Sequence, residues 1–91
     1  MEFTWNPDKA AHNLRKHGVS IMEAGTVFDD PLAVTYEDPD HSEQEERFVI
    51  YGFSNQARLL IVSYTQRMGR TRLISARQVT RQERNLYENT D

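Results

Sequence analysis

Apolar and polar positions along this chain follow two periods, and the change from one to the other divides it. Glu2-Phe3-Thr4-Trp5 alternates polar and aromatic residues, the period of a short strand. Asn6-Pro7-Asp8 then predicts a helix start: Asn6 can cap, Pro7 fits the first helical position, and Asp8 suits the positive end of the dipole. This helix runs to about His17 and stops at Gly18. Ala10, Leu14 and His17 make one stripe on it, and Lys9, Asn13 and Lys16 another. Ser20-Ile-Met-Glu23 has the form of a capping box and opens a second helix, with Ala24, Val27 and Phe28 as its buried face and Asp29-Asp30-Pro31 as its end.

Beyond Pro31 the period falls to two. Leu32 to Tyr36 predicts a strand, 37–43 an acidic solvated loop, and Arg47 to Phe53 an alternating strand. Ser54-Asn55-Gln56 signals a turn. The continuous run Leu59-Leu60-Ile61-Val62 marks Arg58 to Thr65 as a central strand. Met68-Gly69 is the next turn and Arg70 to Arg77 the last strand. Thr80-Arg-Gln-Glu83 is a second capping box, opening a C-terminal helix that carries Leu86 and Tyr87. The expected fold is α+β in the order β-α-α-β-β-β-β-α, an antiparallel sheet flanked by helices, in one domain spanning residues 1–91.

Charge sharpens this picture. Residues 1–57 hold four Lys/Arg against eleven Asp/Glu, whereas residues 58–91 hold seven Arg against three acids, so a balance of -7 faces one of +4 and sums to the overall -3. Every cation of the second part is arginine, whose fork matches phosphate and carboxylate geometry. An acidic protein with its arginines on one run calls for a polyanionic ligand or an acidic partner. The chain has no cysteine, hence no disulfide or thiolate metal site. It has no apolar run of the roughly 20 residues that cross a membrane, and Met1-Glu2-Phe3 does not resemble a signal peptide, so the cytoplasm is the expected compartment.

Several chemistries are disfavoured by the residues themselves. The two N-terminal helices suggest a helix-turn-helix, but the second carries no cation and ends in two aspartates, a poor DNA reader. His12 and His17 are five apart and off one helix face, and His41 lies in the acidic loop, which reads as solvated rather than as a cation site. No Gly-x-Ser-x-Gly elbow is present, and Ser75 reads as a sheet hydroxyl.

The arginine hairpin is the better candidate. Strict alternation places Arg72, Ile74 and Ala76 on one side of the last strand and Thr71, Leu73, Ser75 and Arg77 on the other, so Arg72 and Arg77 diverge unless the strand twists or ends. Arg67, Arg70, Arg72 and Arg77 can bind phosphate, or can serve as charged edge protection and ion-pair partners. His17 can stabilise the helix C-terminus or move protons; Glu46 can pair with a neighbouring arginine or act as a base. Tyr64 can pack on the sheet or stack on a base. RNA carries its own nucleophile, the 2′-hydroxyl, so one base, one acid and some cations suffice to cut it.

An ordered series of short motifs over about 85 residues resembles the BrnT toxins of bacterial type II toxin–antitoxin systems. It comprises Phe3-Thr-Trp5-Asn-Pro-Asp-Lys9, Asn13-Leu-Arg-Lys16-His17-Gly18-Val19-Ser20, Glu23-Ala24 and Val27-Phe28-Asp29-Asp30-Pro31. It continues through Asp40-His41-Ser42, Glu45-Glu46-Arg47-Phe48, Gly52-Phe-Ser54, Arg58-Leu59-Leu60, Thr65-Gln-Arg67, Arg72-Leu-Ile-Ser75-Ala76-Arg77, Glu83-Arg84 and Tyr87. The resemblance implies a RelE-like fold and a metal-independent endoribonuclease without cofactor that arrests growth. It further implies a BrnA-type antitoxin that forms a hetero-oligomer with the toxin and contacts operator DNA on its behalf. His17, Arg67, Arg72 and Arg77 fall in motif positions, with Glu46 as a further catalytic candidate and Lys16, Tyr64 and Arg70 as RNA-binding candidates. Gln66 stands where the family often has Glu, which removes one carboxylate from that hairpin. The rival expectation is a non-catalytic module whose arginines dock an acidic partner.

Overall fold

In the computed structural model, which describes residues 1–39 and 45–88, the chain runs β1 (Phe3–Trp5), α1 (Pro7–His17), α2 (Ile21–Thr26), a 3-10 turn (Val27–Asp29), β2 (Val34–Glu37), β3 (Arg47–Phe53), β4 (Leu59–Arg67), β5 (Arg70–Gln78) and α3 (Arg81–Glu88). The expected element order holds. Residues 40–43 of the expected acidic loop, His41 among them, lie outside the described residues. The second helix is shorter than its pattern suggested. It gives way at Val27 to a single 3-10 turn, which puts Val27 in the core and leaves Phe28 partly covered.

Asn6 caps α1 through its side chain, which accepts from the backbone N–H of Asp8 (2.9 Å) and Lys9 (3.2 Å). Gly18 ends the helix in the left-handed region (φ 68°), where its N–H reaches Leu14 O and a side chain would be strained. The five strands form one mixed sheet in the order β1-β5-β4-β3-β2. β2, β3, β4 and β5 are antiparallel neighbours, whereas β1 adds to β5 in parallel. Met68 (φ 51°) and Gly69 (φ 77°) make the two-residue turn between β4 and β5, a geometry that follows the right-handed strand twist.

The core lies on one face of the sheet. Leu60, Val62 and Tyr64 of β4, Ile50 of β3 and Leu73 and Ala76 of β5 pack against Val19, Ile21, Ala24 and Val27. Gly52 on β3 is the point of closest approach. A Cβ there would lie 2.9 Å from Ala33 Cβ and 3.0 Å from Val27 Cγ1.

The inward stripe of α1 differs from the expected one. Leu14 is half exposed and Asn13 is buried. The Asn13 amide donates to Ala76 O (2.8 Å) and Val19 O (3.0 Å) and accepts from Ala76 N (3.0 Å). β1 pairs with β5 only as far as Leu73, so Asn13 serves as the neighbour of Ala76 on the edge that β1 leaves uncovered.

Candidate nucleic-acid interface on the open face of the sheet

The pairing of β4 with β5 is irregular at one place. Ser63 faces Ser75 and Tyr64 faces Leu73, so Ile74 is an extra residue in β5. This bulge changes the parity of the strand. Thr71 and Leu73 before it and Ala76 after it point to the core, and Arg72 and Arg77, five residues apart, share the opposite face. Strict alternation had placed them on opposite sides; the bulge inserts the missing step.

The register then builds the open face row by row. Arg72, Thr65 and Arg47 lie side by side across β5, β4 and β3. Ser75, Ser63, Val49 and Tyr36 form the next row, ending on β2. Arg77, Ile61, Tyr51 and Val34 form the third. Arg67 and Arg70 flank the β4–β5 turn. The open face therefore carries arginines along β5 and tyrosines on the side of β2 and β3, with two serines between them.

Most of these arginines already hold a carboxylate. Arg67 grips Glu45 with two bonds (Nε–Oε2 3.0 Å, Nη2–Oε1 3.2 Å), and Arg70 pairs with Glu2 (2.6 Å). Arg77 grips Glu83 with two bonds of 2.8 and 2.9 Å. The Arg67 fork holds the Glu45 carboxyl below the usual carboxylate range, and the nearby charges of Arg47 and Arg72 push it the same way. Glu45 thus lies within the field of three guanidinium groups and touches one of them, Arg67. Among the described residues Arg72 is in no ion pair with a carboxylate, and its side chain is partly covered. At the other end of the face, Arg77 and the backbone N–H of Thr80 draw the Glu83 carboxyl down to about 2. Burial pushes the Tyr51 hydroxyl up.

The structure brings some of the expected residues together and separates others. Arg67, Arg70, Arg72 and Arg77 lie on one face. Glu46 is exposed just before β3, its carbonyl held by the Thr65 hydroxyl at 2.6 Å. Tyr64 sits on the other face: its ring is 8% exposed, stacked on Phe48 (5.5 Å) and edge-on to Phe28 (5.0 Å), so it is core and has no surface on which a base can stack. His17 and Lys16 close α1, which meets β5 at Ala76 through Asn13. Ala76 is roughly 10–13 Å along the strand from Arg72, so both residues lie toward the Arg77 end, away from Arg67, Arg70 and Arg72. The Tyr87 side chain lies outside the described set.

Two groups of side chains escaped the sequence reading. Glu23 is buried and receives Arg58 Nε (2.9 Å), a second Arg58 nitrogen and the Ser54 hydroxyl (2.7 Å). This pair ties α2 to the β3–β4 turn. Tyr36 and Tyr51 meet edge to face at 5.8 Å on the open face. Alternation alone puts Val34 and Tyr36 on one face of β2, but that Val34 opposes Tyr51 is set by the register between the strands. Among the described residues no three His, Asp or Glu side chains converge on one point, and no helix is long and apolar enough to cross a membrane.

Comparison with known proteins places this geometry in a family. A profile described as "Ribonuclease toxin, BrnT, of type II toxin-antitoxin system" matches residues 5–83. The chain is similar to the crystal structure of the Brucella abortus ribonuclease toxin BrnT, with a TM-score of 0.66 and 18% identity over 89% of this chain and 99% of that one. No curated protein sequence matches it. The family match spans most of the chain and the structural match confirms the fold: this protein belongs to the BrnT family of type II toxin–antitoxin ribonuclease toxins.

Proposed function

We propose that this chain is itself an active endoribonuclease, and that the open face around Arg72 is where RNA is cut. The observation that carries this reading is the row Arg72-Thr65-Arg47 beside Arg67, on the face that the Ile74 bulge also gives to Arg77. Arginine forks in such a cluster bind a phosphodiester and stabilise the charge that builds on its oxygens during attack. Glu46 takes the proton of the 2′-hydroxyl; the new bond from that oxygen to phosphorus forms as the bond to the 5′ oxygen breaks, and solvent protonates the departing oxygen. No metal enters the scheme. We assign the base to Glu46 rather than to His17 because Glu46 is tied by its carbonyl to Thr65, in the row of Arg72 and Arg47, while His17 lies toward the other end of β5. The toxin acts in the cytoplasm and arrests growth until a BrnA-type antitoxin covers the same face; the antitoxin, not this chain, contacts operator DNA.

A second reading, a face built only to dock an acidic antitoxin segment, is favoured by one observation. Arg67 and Arg77 already bind carboxylates through two bonds each. Purified protein incubated with total RNA in EDTA separates the two: discrete fragments are expected, and intact RNA supports the docking surface alone. Arg72→Ala is expected to lose cleavage with an unchanged far-UV spectrum. Glu46→Gln should slow cleavage by about 100-fold or more, and His17→Ala should stay within about threefold of wild type; the reverse order moves the base to His17.

A further inference from the structure

The open face is more than a cluster of cations, and its tyrosines have no part in the cleavage chemistry. Tyr36 is half exposed although the residues beside it in its row, Val49 and Ser63, are partly covered. Its ring is not held in the core. It meets Tyr51 edge to face at 5.8 Å, with the two planes 86° apart. Tyr51 in turn is half-buried, and the charges of Arg77, Glu83 and Asp38 all act on it. A large exposed ring braced by a second, fixed ring has one side free for a flat partner.

The identity of that partner follows from what lies across the sheet. Tyr36 is in the same row as Ser63 and Ser75, between the row of Arg72 and the row of Arg77. The distance across from β5 to β2 is three strand spacings, about 14 Å, comparable to the reach of a nucleotide from its backbone to the far edge of a splayed base together with the arginine and tyrosine side chains that meet it. Phosphates on the arginine side and a base on the tyrosine side satisfy both at once. An acidic peptide would use the arginines but gives the ring no planar group. A duplex hides its base faces within the stack and offers the ring nothing flat. Single strands bind in this combined way, with cations along the backbone and aromatic side chains under the bases.

We propose that Tyr36, braced by Tyr51, is a base-stacking platform that makes the chain selective for single-stranded RNA and fixes the nucleotide next to the phosphate held at Arg72. The proposal rests on the ribonuclease reading for its substrate, but binding tests it independently of cleavage. A short 2′-O-methyl RNA cannot be cut by 2′-hydroxyl attack. Scanned with 2-aminopurine at each position, it should show strong fluorescence quenching at one position on binding to wild type. Tyr36→Ala should lose that quenching and weaken binding by about 10-fold or more, while Tyr36→Phe, which keeps the ring, restores both. Replacing the quenched nucleotide with an abasic one should erase the difference between wild type and Tyr36→Ala. Equal affinity of wild type and Tyr36→Ala, or preference for duplex over single strand, overturns the platform. Binding and quenching without cleavage of ordinary RNA leave the platform standing and overturn the endonuclease reading instead.

Discussion

Asn13 shows how one side chain can finish a sheet. Its amide holds both the N–H and the C=O of Ala76, and the carbonyl of Val19, in a buried place where water cannot replace it. Asn13→Ala should therefore cost about 3 kcal/mol, seen as a fall of roughly 10–20 °C in Tm. Glu23 makes a parallel case with charge. Its folded pKa is lowered from 4.5, first by the Arg58 hydrogen bonds, against the opposing effect of burial. A lowered carboxylate pKa stabilises the fold above the unfolded value, and that contribution is lost as pH falls through the folded one. Arg58 is the partner whose loss leaves the buried Glu23 charge with only the Ser54 hydroxyl, so Arg58→Ala should lower the denaturation midpoint at pH 7. The gap between wild type and Arg58→Ala should narrow as the pH drops below 4.5, the usual value for this group, because protonated Glu23 no longer needs the guanidinium. Denaturant melts at pH 7 and pH 4 check the sign. A gap that widens in acid refutes it.

At the scale of elements, what the sequence reveals depends on whether the determining contact is local. The two capping boxes make the contrast. Thr80 and Glu83 exchange both bonds, Glu83 N to Thr80 Oγ1 and Thr80 N to Glu83 Oε1. Ser20 receives Glu23 N in the same way, but the Glu23 carboxyl turns inward to Arg58, 35 residues away. Both helix starts were legible; the fate of the second carboxylate was not. The strand order of β2 to β5 followed from alternation and short turns, whereas the parallel place of β1 depends on a distant strand edge. The bulge is the clearest case. Ile74 has no local mark, since it is a β-branched residue in a good strand, and only the register against Ser63 and Tyr64 makes it the extra one. Inserting one residue between Ser63 and Tyr64 would give Ile74 a partner, restore strict alternation and force a choice: either Arg77 turns toward the core or Arg72 does. That should cost on the order of 3–5 kcal/mol and abolish RNA binding, whereas Ile74→Val keeps the residue count and should cost only about 1 kcal/mol. Melting curves with RNA titrations of the two variants make the comparison, and an insertion variant that melts and binds like wild type shows that the bulge does not set the face of Arg77.

The whole molecule carries a net charge of -3 and yet offers a polyanion one cationic face. Its overall charge repels RNA at long range, while salt at physiological strength screens such repulsion within about 8 Å and leaves close contacts to decide. Those contacts are not free of cost, because Glu45 and Glu83 occupy Arg67 and Arg77 beforehand. Both pairs are partly exposed, and exposed pairs are weak, so a phosphate can replace a carboxylate without a large penalty. Arg72 needs no such exchange. If about three phosphates are neutralised, the logarithm of the binding constant should fall with the logarithm of salt at a slope on the order of -2. Arg72→Gln should make that slope shallower by about 0.7, since one counterion release is lost. Tyr36→Ala should weaken binding at every salt concentration with the slope unchanged, because stacking releases no counterions. A titration of the 2′-O-methyl oligonucleotide at several salt concentrations therefore separates the arginine side of the face from the tyrosine side. If Tyr36→Ala changes the slope and Arg72→Gln does not, the two sides have been assigned the wrong way round.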